Sequence, residues 1–197
     1  MPDRYHFDRS KPFYPHVLSF FISLHGFKEA LVSGILSKAG FRTEIVFPEN
    51  FPESTKAELR DAIQKLKAPL NLTVTNDTNT LDIPLDFVSQ ELIDNWMYLI
   101  EYLIPSASMV IALAYEDVKG KLVGPQGEFL RHCRNAVAHN GKFEIRGALK
   151  TPAAWRGMSI SPSMHGQPLF KSPKQLNGYL NLGDPIALLW DVEQEIS

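Results

Sequence analysis

Apolar residues spaced three and four apart, closed off late in the chain by an abrupt Asn-Gly stop, constrain this fold more than any other feature. Phe20, Leu24, Phe27, Leu31 and Ile35 recur at helical spacing, which predicts a helix from about His16 to Lys38 with Gly40 as its stop. Leu18 to Leu24 is apolar nearly all round, so that half is expected to lie centrally or in a subunit interface. Residues 42–53, with Pro48 and Pro52, read as a loop. Thr55 and Glu58 have capping-box spacing, which predicts a helix from about Lys56 to Lys67. The Asn-, Thr- and Asp-rich residues 70–84 read as a loop with a short strand at Leu72 to Thr75. Asp86 is placed to cap a long helix from Phe87 to Leu103. Pro105 is expected to break or kink it, with a core helix from Ser106 to Tyr115 following. Gly120, Gly124, Pro125 and Gly127 mark a loop, and the next helix spans Gln126 to His139 before Asn140-Gly141 ends it.

Beyond that stop the pattern changes. Phe143–Ile145, Ala154–Ile160 and Leu169–Phe170 read as short strands separated by Pro and Gly. Asp184-Pro185 is an N-cap followed by proline at the first helical position, so a last helix is predicted over Pro185–Ile196. The expected architecture is mainly α, a bundle of five or six helices with a small β-hairpin or loop insertion before the last helix. A chain of 197 residues suits a single domain with a sizeable core. Its parts are an irregular arm (1–15), a helical core (16–141), a β-like excursion (142–182) and a C-terminal helix (184–197).

Composition narrows the function classes. With Cys133 as its one cysteine, the chain can form no internal disulfide, Cys-based zinc site or CxxC motif, which fits a reducing, cytoplasmic setting. The N-terminal residues lack a signal-peptide layout, and the apolar run Val17–Leu24 is too short to span a bilayer. No histidine pair has HExxH spacing, and no cluster of carboxylates marks a metal site. Gly124-Pro125-Gln126-Gly127 is neither a Walker nor a Rossmann pattern, so no metal or cofactor is expected. A net charge of −2 argues against a general nucleic-acid coat. The charge is nonetheless segregated: residues 82–118 hold seven acids and no Lys or Arg, whereas 119–150 carry a local balance of +5. Such a segment can draw a phosphate to one place, or the two segments can neutralise each other across a helix pair.

On a wheel of about 100° per residue, Phe129, Leu130, Cys133, Ala136 and Val137 form one arc of the 126–139 helix. Glu128, Arg131, His132, Arg134, Asn135 and His139 form the other. Arg134 offers a planar fork of donors matched to phosphate oxygens. His139 can take or give a proton near neutrality, and Asn135 can orient either partner. RNA brings its own nucleophile, the 2′-OH, so an enzyme need only move a proton and stabilise the charge that develops on phosphate. Arg131, His132 and Lys142 extend the same polar region as expected RNA contacts. The plainer reading is a solvated face whose terminal histidine gains from the helix dipole. Trp155-Arg156, beside the expected hairpin, either stacks on a base or packs the hairpin onto the bundle.

The string RHCRNAVAHNG resembles the signature of the HEPN superfamily: Arg, a polar residue, then His after four to six intervening residues. Here these are Arg134, Asn135 and His139, late in a helical domain as in that family. The resemblance covers residues 126–143 closely and the helical frame of 16–140 only in outline. It implies a helical bundle that dimerises to bring two motifs into one composite active site. It further implies RNA cleavage without metal, leaving a 2′,3′-cyclic phosphate, with Arg134 and His139 catalytic and Asn135 assisting. Toxin–antitoxin and defence systems are the usual setting, with an antitoxin or regulatory protein as a further partner. Some members bind nucleotide, RNA or protein without cleaving. The stretch 142–182 is not part of the basic bundle.

Overall fold

The computed structural model describes residues 9–38, 52–58, 70–73, 80–83 and 99–196. All but the last two residues of the loop expected over 42–53, most of the helices expected over 56–67 and 87–103, and the first residues of the arm lie outside them. The chain divides into two compact units, Gly26–Trp96 and the combination of Met1–His25 with Met97–Ser197.

In the first of these, α1 (Tyr14–Lys38) continues from the other unit, residues 53–58 are helical, and β1 (Leu70–Thr73) pairs antiparallel with β2 (Thr80–Ile83). The register sets Leu70 opposite Ile83 and Leu72 opposite Leu81. This corrects the single strand expected at Leu72–Thr75, which begins two residues earlier and is half of a hairpin. Pairing with a second strand across a turn is a term that no local propensity contains. The helical stretch also starts at Glu53, so Thr55 lies inside it and does not cap it.

The second unit is mainly helical. It contains the start of α1, α2 (Leu99–Val118), α3 (Gly124–Ala138) and α4 (Asp184–Ile196), with the hairpin β3 (Ala153–Trp155) and β4 (Met158–Ile160) between α3 and α4. This is the expected helical bundle with a small antiparallel hairpin before the last helix. α1 turns Val17 and Phe20 inward, beside Phe13, while Leu18, Phe21 and Ile22 are exposed. Its first half is therefore buried on one face only and is not central. His16 Nε2 meets Asp117 Oδ2 at 2.6 Å, tying the start of α1 to the end of α2.

α2 corrects the expected break: it runs unbroken through Pro105. Proline removes one N–H and so frees the carbonyl four residues earlier. Pro105 is on the exposed side of the helix, where water can satisfy that carbonyl. The apolar face is uninterrupted, with Leu103, Ala107, Val110, Ile111 and Ala114 buried, and this packing holds the helix together.

α3 starts two residues before the expected Gln126, with Pro125 in its first turn, where a missing N–H costs nothing. Its end is as expected. His139 is the C-cap, and Asn140 (φ 57°) and Gly141 (φ 71°) are left-handed, the conformation that terminates helices. Phe129, Leu130, Cys133 and Ala136 are fully buried, against α2, α4 and β3.

The excursion after α3 is more than a flap. Phe143, Ile145, Ala153, Trp155, Ile160, Met164, Leu169, Phe170 and Leu180 belong to the same core as the helices. Phe129 lies 5.7 Å from the Trp155 ring and 6.1 Å from Tyr179, and Phe143 meets Tyr179 edge-on at 5.7 Å. The strands expected at Phe143–Ile145 and Leu169–Phe170 are instead irregular segments held by single bridges, Lys142 to Pro168 and Phe170 to Leu180. The turn between β3 and β4 places Arg156 at φ 46° and Gly157 at φ 77°, the tight hairpin turn whose twist matches that of its strands.

Candidate functional site

The last two turns of α3 carry the expected motif, and its members face different neighbours. Arg134 points towards α2. Its Nη2 donates to Glu116 Oε1 at 2.7 Å, and its guanidinium lies 5.6 Å from the centre of the Tyr115 ring. Glu116 accepts from Lys119 through its other oxygen at 2.7 Å. Lys119 first and Arg134 second hold the Glu116 carboxyl below the ordinary glutamate value. The acidic segment before residue 119 thus neutralises part of the basic segment after it, as the plainer charge reading expects.

Asn135 lies on the other side of the helix and lines a groove of about 390 Å³ with Arg131, His132, Glu128 and residues 144–146 and 148–151. Arg131 is already engaged: Nε and Nη2 donate to Glu128 Oε2 at 2.8 and 2.7 Å. His132 departs from the solvated arc of the wheel. It is 6% exposed, and its Nε2 lies 3.0 Å from Arg131 Nη2. Burial, then the Arg131 charge, lowers its pKa against the opposing pull of Glu128. A wheel treats everything outside the helix as water, whereas here β3 and the 144–151 segment pack beside it.

His139 caps the helix with its side chain 53% exposed. Its backbone N–H donates to the carbonyls of Asn135 and Ala136, both at 3.1 Å, which closes the last turn. Its ring turns away from the helix, so that Nδ1 lies 2.5 Å from Glu144 Oε2. The second Glu144 oxygen accepts from Arg146. His139, Glu144 and Arg146 line an open depression of about 350 Å³, and Glu144 and Arg146 also line the 390 Å³ groove. The two concavities therefore share a wall, and the imidazole stands at the end of a surface that Asn135 and Arg131 border.

Lys142 is exposed and lines neither concavity, and its backbone N–H donates to the His139 carbonyl at 3.2 Å. The Trp155 ring is not displayed for stacking. It is 4% exposed, and its Nε1 donates to Asp191 Oδ2 at 2.7 Å, so the packing alternative holds. Glu144, Arg146 and Lys150 belong to the site although sequence reasoning assigned them nothing. The excess of bases in 119–150 was the only signal for Arg146 and Lys150, and Glu144 had none, because the chain must fold back after Gly141 before they meet α3. Among the described residues, no three His, Cys, Asp or Glu side chains gather in a metal-holding group, and no helix is long and apolar enough to cross a membrane. Cys133 is fully buried, which pushes its thiol well above the ordinary value and leaves it a packing residue.

No family model, curated protein or solved structure matches this chain.

Proposed function

We propose that this protein is a metal-independent endoribonuclease of the HEPN kind, acting on RNA through 2′-OH attack. The observation that carries this reading is the exposed His139 ring beside a nucleotide-sized groove bordered by Asn135, Arg131 and Arg146. Arg134 follows on the adjacent face of the same turn. Bonding of the 2′-oxygen to phosphorus and departure of the 5′-oxygen would leave a 2′,3′-cyclic phosphate and a 5′-hydroxyl. The proton moves from the 2′-OH to the 5′-oxygen, so the step is redox-neutral and consumes no co-reactant. His139 is the group that carries the proton. Arg134 stabilises the charge on the phosphate oxygens, and Asn135 orients. Arg131, His132 and Lys142 complete the expected RNA-side surface, of which the exposed Lys142 and half-buried Arg131 are the accessible members.

One helix end supplies few groups, so the reading includes a homodimer in which two copies of Arg134 and His139 form one composite active site. The matching biological setting is a cytoplasmic toxin or defence protein restrained by an antitoxin or regulatory partner.

A second reading is a non-catalytic HEPN module that binds nucleotide, RNA or a protein. The pairing of Arg134 with Glu116 and of Arg131 with Glu128 favours its protein-binding form, because a phosphate of RNA or nucleotide must displace a carboxylate at each. RNA cleavage in EDTA separates the two. The enzyme reading expects cyclic-phosphate products from the wild-type protein and none from Arg134→Ala or His139→Ala. Activity that vanishes with chelator, or that survives both substitutions, refutes it.

A further inference from the structure

The carboxylate against His139 comes from outside the Arg-polar-His motif, and its geometry assigns it a role. We propose that Glu144 is a positioning residue that fixes the tautomer and orientation of the His139 imidazole, leaving Nε2 as the atom that handles the substrate proton. This inference rests on the ribonuclease reading for its chemistry but on the structure for its geometry.

Glu144 Oε2 lies 2.5 Å from His139 Nδ1. A carboxylate oxygen this close to a ring nitrogen favours the form with the proton on Nδ1, and in the neutral ring Nε2 is then the lone-pair nitrogen. A base for a ribose hydroxyl needs that lone pair directed at the substrate. Without the carboxylate, a half-exposed histidine at a helix end would distribute its proton between both nitrogens and turn about its side-chain bonds. Glu144 is itself held. Its side chain is 22% exposed, and Arg146 takes the opposite oxygen, which turns Oε2 towards the imidazole. The backbone fixes the pairing as well: Phe143 N–H donates to the Gln167 carbonyl at 3.0 Å, and Phe143 and Ile145 are buried on either side of Glu144. With Phe143 and Ile145 both in the core, the Glu144 side chain between them is left part-exposed, beside the end of α3.

In the reaction, the 2′-OH proton passes to Nε2 and the imidazolium that forms is balanced by Glu144, which stays ionised. The same Nε2 proton, or that of the second copy's His139, then goes to the departing 5′-oxygen. Glu144 touches neither substrate nor the reacting atoms and acts through the ring.

The test has two readouts on the full-length wild-type, Glu144→Ala and Glu144→Gln proteins. The first is long-range proton–nitrogen correlation on histidine-labelled protein, which reports the tautomer of neutral His139 without any substrate. The proposal expects the Nδ1–H form in the wild type, a shift towards Nε2–H in Glu144→Ala, and partial retention in Glu144→Gln, whose amide oxygen still accepts. The second is RNA cleavage. The proposal expects kcat to fall at least about tenfold in Glu144→Ala, and by no more than the roughly 10²–10⁴ that a positioned acid–base group itself contributes. KM should change less than kcat, and Glu144→Gln should recover part of the rate. An unchanged tautomer in Glu144→Ala overturns the proposal, and so does a kcat that is unchanged or raised, the latter showing that Glu144 restrains His139 instead of orienting it. A wild-type protein that cuts no RNA, combined with the expected tautomer shift, overturns the ribonuclease reading and leaves the orientation of His139 by Glu144 established.

Discussion

Replacing Asp191 with alanine removes one carboxylate that ties the β3–β4 hairpin to α4. Asp191 Oδ2 accepts from Trp155 Nε1 at 2.7 Å and from Arg156 Nε at 2.6 Å, while Oδ1 accepts from Arg156 Nη2 at 2.9 Å. The three bonds are unequal in worth. The Arg156 side chain is 45% exposed, so solvent screens its ion pair to roughly 0–1 kcal/mol. The Trp155 indole is buried, and an orphaned N–H there costs about 1–3 kcal/mol. The expected loss is about 1–4 kcal/mol, a fall in Tm of roughly 2–16 °C for a chain of this size. Thermal unfolding followed by circular dichroism measures it. Arg156→Ala removes the screened pair and the stacking of the guanidinium over the Trp155 ring at 5.4 Å, leaves the indole its acceptor, and should cost at most about 2 kcal/mol. Asp191→Asn keeps an acceptor for the indole and should fall between the two. If Arg156→Ala is as damaging as Asp191→Ala, the orphaned indole is not the source of the loss and the reasoning fails.

Two further perturbations follow from packing and burial. Gly178 sits where a Cβ would fall on the Phe170 carbonyl and the Lys171 amide, backbone that is itself held by Leu180 N–H to Leu169 O at 2.7 Å and Lys171 N–H to Leu180 O at 2.8 Å. Gly178→Ala should therefore cost at least about 3 kcal/mol in urea unfolding, and a variant within about 1 kcal/mol of the wild type would show that this segment yields. His132 is held below its ordinary value of 6.5 by burial and by Arg131. The unfolded chain then binds the extra proton first, so this contribution is complete above the unfolded value and is lost as the pH falls through the folded one. Between about pH 7.5 and 5.5 the wild-type Tm should drop more steeply than that of His132→Gln, and parallel slopes would exclude His132 as a source.

The reach of sequence reasoning follows the range of the forces involved. The end of α3 is local: Asn140 and Gly141 adopt left-handed angles that few other residues tolerate, and they stop the helix where their order in the chain says they must. The apolar arc of Phe129, Leu130, Cys133 and Ala136 is also local, because helical period involves only neighbours within a turn or two, whereas Asp184, expected to cap α4, lies in its first turn and accepts from the Asn181 N–H. The unbroken course of α2 through Pro105 was decided by the core beneath it, whose combined packing outweighs one missing hydrogen bond. His132 is buried beside a groove whose other lining, residues 144–146 and 148–151, arrives only after the chain has reversed.

The candidate site divides in the same way. Arg134, Asn135 and His139 are legible as three polar residues at one helix end, since spacing along a single helix determines which of them are neighbours. Their partners are not legible. Glu116 reaches Arg134 from 18 residues earlier across a helix pair. Glu144 meets His139 after the chain has turned back past Gly141, between the buried Phe143 and Ile145. By itself the sequence determined where the polar helix end lies and which donors it carries. Tertiary structure alone decided which carboxylate meets which donor, since those pairings depend on where the core anchors the chain on its return.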